Sequence, residues 1–298
     1  MNPSKPSILL ALALVSYENR KQSEPAAPAL PTYITKLAVD FPERNTRHPE
    51  QLQAATDWIA QKLETHAPDS VTRQDYQAAG LKCSNIELSL TGKKQPDEII
   101  VIGSHYDSVP GSPGANDNGS GIAALLYLAQ HFSQQAPFEQ TLRFVAFTNE
   151  EPPHFQTTKM GSIVYAKRCA LKSESILAML SLETMGDYTD APKSQKYPPL
   201  VAALYPEASN FLAIVTNPDS KTLCATVKEH FQSHSALPIE SAVFPPALFP
   251  QSGWSDHWAF WKERYPGLMI TDTITCPSAR RTSSTTQDSP RQSKASSA

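Results

Sequence analysis

The chain has 298 residues, 18% of them charged and 40% hydrophobic, with a formal net charge of −3 and a pI of about 6.2. That is enough apolar sequence for one large core, and it excludes a collagen-like, low-complexity or wholly disordered chain. With no basic excess, nothing favours nucleic acid or an anionic membrane as a partner.

In chain order, Lys5 precedes the apolar run Ile8–Val15. Such a run is too short for a bilayer, which takes roughly 20 residues, but it fits the apolar region of a signal peptide. Residues 1–16 therefore read as a signal peptide, and the mature chain as secreted or periplasmic and outside the membrane. The alternative is a cytoplasmic protein whose fold starts with a short buried helix. Residues 17–31 are polar and Pro/Ala-rich and read as a linker. From Glu50 to His66, Leu52, Ala55, Ile59 and Leu63 share one helical face. Asn85–Leu90 alternates as a half-buried strand does. Ile99–Ile102, Leu142–Phe147 and Ala178–Leu182 are short, nearly continuous apolar runs, which suit strands covered on both faces. Between the first two, Ile122, Leu125, Leu126, Ala129 and Phe132 fall on one helical face, with Asn118 or Ser120 as cap. Met160–Leu171, Leu223–His234 and Ser255–Lys262 are predicted helices, and Gly267–Thr271 a last strand. Alternating strands and helices predict one α/β domain over 32–273, a three-layer α/β/α sandwich with a mixed, mostly parallel central sheet.

From Thr273 the pattern breaks. Twelve of the last 26 residues are Ser or Thr, and only Ile274 is strongly apolar. Residues 274–298 read as an aberrant, disordered tail. Cys83, Cys169, Cys224 and Cys276 form no C-x-x-C, which argues against a finger-type zinc site. They read as buried or free thiols; one or two disulfides are the alternative in an oxidising compartment, at which the N-terminus hints.

Each buried run leads into ligand-type residues. Ile99–Ile102 leads to His105 and Asp107, Leu142–Phe147 to Glu150 and Glu151, and Ala178–Leu182 to Glu183, with Asp187 nearby. Ligands of open α/β sheets bind beyond the carboxyl ends of the strands, so these ends point to one shared polar site. The loop Gly111–Gly121 adds Asp117 between two Asn at a helix start. Imidazole and carboxylates are ordinary zinc ligands, and a bridging carboxylate can hold two ions. Asp107, two residues beyond His105 on an extended segment, can accept the second imidazole N–H and fix the tautomer. Of Glu150 and Glu151, one can bind metal while the other takes a proton from the attacking water.

Two other chemistries fit poorly. Gly253-Trp254-Ser255-Asp256-His257 contains the residue types of a serine triad, but adjacent residues cannot converge as a triad must, and His257 stands where a nucleophile elbow needs Gly. The Gly111–Gly121 loop matches neither the dinucleotide nor the P-loop fingerprint.

The segments SHYDSVPGSPGANDNGSG and FTNEEPP resemble the co-catalytic zinc aminopeptidases, a broad family that includes glutamate carboxypeptidases and glutaminyl cyclases. WSDHWAFW and GLMITDT resemble its late segments, and the similarity runs from about Thr35 to Thr273. The resemblance implies a peptide substrate and two zinc ions. It implies His105, Asp117, Glu151 and Glu183 as zinc ligands, with Asp117 bridging. Glu150 would be the general base and Asp107 the partner of His105, and Glu183 stands where most members have Asp. Asp256 and His257 would lie near the site without a coordination role.

The family's last zinc ligand is a His shortly after the T-D-T strand. Here Ser284-Thr285-Thr286-Gln287-Asp288 resembles that segment, with Ser in place of His. The expectation is a reading frame disturbed after about Thr273 and a weakened second zinc, because a zinc site normally has three or more protein ligands. His257 or His154 could substitute only by pointing inward. The alternatives that follow are a metal-poor, catalytically impaired member, or a carboxypeptidase-like or glutaminyl cyclase-like activity.

Overall fold

The computed structural model describes residues 29–197 and 201–272. The apolar run at 8–15, Cys276, and the stretch from Thr273 onward that includes Ser284 lie outside the described residues.

The strands are β1 Val71–Ala78, β2 Leu81–Leu90, β3 Gln95–His105, β4 Gln140–Phe147, β5 Ser175–Glu183, β6 Leu212–Thr216, β7 Ile239–Val243 and β8 Gly267–Thr271. The α-helices are α1 Ala29–Thr35, α2 Pro49–His66, α3 Gly121–Gln135, α4 Gly161–Leu171, α5 Lys221–His234 and α6 His257–Lys262. All the strands join one sheet in the order β1-β2-β4-β3-β5-β8-β6-β7. β3 runs parallel to β4 and β5, β5 to β8, and β6 to β7; β1–β2, β2–β4 and β6–β8 are antiparallel.

Both faces of this sheet are covered, which is why its central strands are apolar throughout. Successive side chains of a strand point to opposite faces. Ile100 and Ile102 of β3 pack with Leu52, Ala55 and Ile59 of α2 and Ile122 and Leu126 of α3, in the same core as Val227 of α5. Ile99 and Val101 pack on the other side with Ile163 and Ala166 of α4 and Phe260 of α6. The result is the three-layer α/β/α sandwich.

Three strands, β1, β6 and β7, go beyond the predicted elements. α1 also begins at Ala29, inside the stretch read as a linker. Pro31 sits in its first turn, where backbone N–H groups have no intrahelical partner to lose. Tyr33 meets Trp58 of α2 edge-on with ring centroids 5.7 Å apart, anchoring the helix on the core. Cys83, Cys169 and Cys224 are buried free thiols. Among the described residues, no helix is long and apolar enough to cross a membrane.

The topology makes a crevice. From β3 the chain passes through α3 on one face to β4, then through α4 on the other face to β5 on the far side of β3. The direction of winding reverses beside β3, which is where open α/β sheets hold their ligands. The carboxyl ends of β3, β4, β5 and β8 all open there.

Candidate metal centre

His105 closes β3 and is fully buried. Its Nε2 lies 3.2 Å from Glu183 Oε2, 3.3 Å from Asp117 Oδ1 and 3.8 Å from Glu150 Oε2. On the other side of the ring, Nδ1 lies 3.5 Å from Asp107 Oδ1. Ligand atoms of His105, Asp117 and Glu183 all lie within 4.8 Å of one another. The turn Ala115–Ser120 delivers Asp117, in non-helical backbone (φ −101°, ψ 98°) and followed by a cis peptide to Asn118.

Several polar contacts hold these ligands in place. Asn118 is fully buried. Its Nδ2 donates to Ser104 Oγ (3.0 Å) and the Leu182 carbonyl (2.8 Å), and its Oδ1 accepts from the N–H groups of Gly121 and Thr184 (both 3.1 Å). One amide thus ties the ends of β3 and β5 to the start of α3. Asp107 accepts from the backbone N–H groups of Glu150 and Glu151, both at 3.0 Å. It therefore fixes the loop after β4 as well as facing His105. Ser255 Oγ donates to Glu183 Oε2 (2.8 Å) and lies 2.8 Å from Ser181 Oγ. Asp272, just beyond β8, accepts from Asn116 Nδ2 (3.1 Å) and from the N–H groups of Gly186 (3.0 Å) and Asp187 (2.7 Å).

The electrostatics follow from crowding carboxylates around one imidazole. Burial alone would push His105 down, but Glu183, Glu150, Asp107 and Asp117 reverse this and hold it well above the ordinary histidine range. Burial, with Glu183, Glu151 and Asp256 adding, raises Glu150 well above the ordinary carboxylate range against the pull of His105. Glu151 is pushed up to about 8, first by burial and then by Asp117, with His105 opposing. Asp256 is fully buried and pushed up to about 7, chiefly by burial, with His105 and Ser162 opposing.

The sequence-predicted residues thus sort by place. His105, Asp117 and Glu183 converge, Glu150 stands at their edge, and Asp107 backs the imidazole. Glu151 lines a small neighbouring pocket together with Arg47, Asp107, Pro152, Pro153 and His154. Asp187 is exposed. His257 is spent elsewhere: its Nε2 lies 2.8 Å from the Ser252 carbonyl, and burial pushes its pKa down to about 4. His154 Nε2 lies 3.2 Å from Thr46 Oγ1. Neither joins the converging ligand set. Asn118, Ser255 and Asp256 hold or flank the site without having been assigned a role there. The one signal for Asn118 was its place between Asp117 and the α3 face.

The profile of peptidase family M28 matches residues 85–297. The chain belongs to peptidase family M28. This is the co-catalytic zinc aminopeptidase family that its motifs resemble, and the matched span runs through the C-terminal stretch read as aberrant. An uncharacterised Escherichia coli K12 protein, YfbL, is 31% identical over 76% of this chain and 77% of its own length. Aminopeptidase YwaD of Bacillus subtilis is 50% identical over 90 residues, 28% of this chain and 20% of its own. The crystal structure of LapB from Legionella pneumophila superposes with a TM-score of 0.65 at 20% identity, covering 91% of this chain and 65% of LapB, which shows a shared fold.

The residues present fit the zinc of this family. One imidazole and two carboxylates make an ordinary zinc donor set, with a position left open. His105 brings two buried ring nitrogens without a well-formed hydrogen bond, the state of a ligand presented to a cation rather than of a satisfied core histidine.

Proposed function

We propose that this M28 member is a zinc-dependent aminopeptidase, with His105, Asp117 and Glu183 holding a zinc ion and Glu150 acting as general base. One observation carries the reading: Glu150 Oε2 stands 3.8 Å from His105 Nε2, at the edge of the converging ligands, while Asp107 grips its backbone N–H. The strong local identity to the Bacillus subtilis aminopeptidase supports release of an N-terminal residue.

Zinc, when bound, supplies Lewis acidity at the scissile carbonyl and lets water react near neutral pH. Glu150 takes the proton of the attacking water and passes it to the leaving amine. Asp107 keeps imidazole and base in register by contacting both. A second zinc would rest on Asp117 and Glu151, with Ser284 standing where the family has its last ligand. We propose that this second ion binds more weakly.

The test is zinc content after loading and dialysis, followed by hydrolysis of short peptides with free N-termini. The Glu150→Gln chain should keep its zinc while turnover falls by about 10²–10⁴-fold. Wild-type turnover in that variant would overturn the base assignment. Carboxypeptidase or glutaminyl-cyclising activity without N-terminal release would overturn the aminopeptidase reading.

A further inference from the structure

We propose that Arg44 is a positioning residue of the metal site: its guanidinium pins the loop that carries Asp117 to the strand end that carries His105 and Asp107. Arg44 lies in the turn before α2 and is 0% exposed. Its Nε donates to the Tyr106 carbonyl (2.5 Å), Nη1 to those of Leu37 (3.2 Å) and Pro113 (2.8 Å), and Nη2 to that of Gly114 (2.6 Å). Every one of these acceptors is a backbone carbonyl. A buried arginine is ordinarily paired with a carboxylate. Here Asp107, Asp117 and Glu151 act on the guanidinium through space, and its hydrogen bonds go to the chain that carries them. Burial pushes its pKa down to about 10, so it remains a cation at neutral pH.

The acceptors lie on both sides of the site. Tyr106 sits between His105 and Asp107. Pro113 and Gly114 open the loop to Asp117, and the Gly114 carbonyl also accepts from Gly119 N–H at 3.0 Å. That one carbonyl therefore joins the guanidinium to the far side of the turn around Asp117. The neighbouring backbone repeats the staple: Ser108 N–H donates to the Arg44 carbonyl at 3.2 Å, and Asn45 Nδ2 to the Ser108 carbonyl at 3.0 Å. Gly114 is left-handed (φ +63°), and a Cβ there would lie 2.6 Å from Ser108 Cβ and 2.8 Å from Arg44 Nη2. The loop closes on the guanidinium only because that position is glycine. A lysine cannot replace the fork, because one ammonium cannot reach four carbonyls spread around a planar group.

The proposal rests on the reading that His105, Asp117 and Glu183 hold zinc, so wild-type zinc binding is measured first; a chain that binds none overturns that reading and this one together. Arg44→Lys and Gly114→Ala are then made in the full chain, with circular dichroism of the metal-free proteins confirming the fold. Zinc affinity is read by chelator competition and ligand geometry by the visible spectrum of the cobalt-loaded protein. Both variants should bind zinc about 10–100-fold more weakly, as for residues that orient metal ligands, with an altered cobalt spectrum. The control variant Lys172→Ala, exposed just past the end of α4 and away from the carboxyl ends of the strands, should match wild type in the measured affinity. Lower melting temperatures with unchanged affinity and spectrum in folded variants would reduce Arg44 to a structural residue and overturn the proposal. If Arg44→Lys fails to fold, Gly114→Ala is read in its place: its Cβ would meet Arg44 Nη2, Ser108 Cβ and the Asp117 carbonyl (2.9 Å) together, and unchanged affinity and spectrum there overturn the proposal.

Discussion

Ser255 shows how a residue can matter to a metal without touching it. Its hydroxyl donates to Glu183 at 2.8 Å and is itself backed by Ser181, so the carboxylate is held at one angle. Groups that orient ligands in this way commonly contribute about 10–100-fold to metal affinity. Ser255→Ala should therefore weaken zinc binding about tenfold, measured by chelator competition, while Asp187→Asn on the exposed loop should leave it alone. Equal affinities for the two variants would contradict this. His105→Ala removes a ligand outright and should lose more; full zinc retention there would refute its role. Ligand types were readable at the strand ends because charged residues after a buried run have few reasons to be there. Ser255, Asn118 and Arg44 were not, because each acts through a carbonyl or carboxylate distant in sequence. No local spacing encodes the 62 residues between Arg44 and Tyr106.

At the scale of elements, the legible parts were those whose burial leaves a period in the sequence. The helix α3 shows its apolar face plainly, and β3, β4 and β5 are apolar on both sides because both sides are covered. β1 is an edge strand with only Ala78 fully buried, so VTRQDYQA carries no apolar run to find. β7 occupies the opposite edge and is similarly mixed. α1 was hidden by Pro31 and by the Pro/Ala-rich sequence before it, and is held by docking on α2. The most exacting junction lies at the start of α3. A Cβ on Gly121 would lie 2.3 Å from Asn118 Oδ1, 2.5 Å from Ser104 Oγ and 2.6 Å from the Leu182 carbonyl. Gly121→Ala would force this helix off both strands that carry ligands. Overpacking of this kind costs about 1–3 kcal/mol, visible as a lower denaturation midpoint. The zinc site should loosen with it, since Asn118 holds the turn of Asp117. A variant as stable as wild type would show that the junction can relax.

For the whole molecule, the crowded carboxylates make stability depend on metal and pH together. In the metal-free fold, Asp256 titrates at about 7 against an ordinary 3.8, and Glu151 at about 8 against 4.5. The folded chain holds these protons more tightly than the unfolded chain, so their stabilisation is complete below the ordinary values and is lost as pH rises through 7 and 8. His257 has the opposite sign. It is buried neutral with a pKa of about 4 against 6.5, so its contribution is present above 6.5 and lost as pH falls toward 4. The two slopes oppose each other below pH 6.5; above it the carboxyl slope continues and is joined by that of His105, whose proton the fold also holds above the ordinary histidine range. Between pH 6.5 and 8 the metal-free protein should therefore lose stability, on the order of 1–2 kcal/mol. Zinc selects the ionised carboxylates, and its affinity grows as protons leave. The zinc-loaded protein should accordingly show no such fall, and the gap between loaded and chelator-treated melting temperatures should widen from pH 6.5 to 8. Replacing His257 with Gln should flatten the acid limb and leave this alkaline widening intact. A metal-free melting temperature that stays level across the interval would mean that the carboxylates do not share the buried environment that gives the site its affinity for a cation.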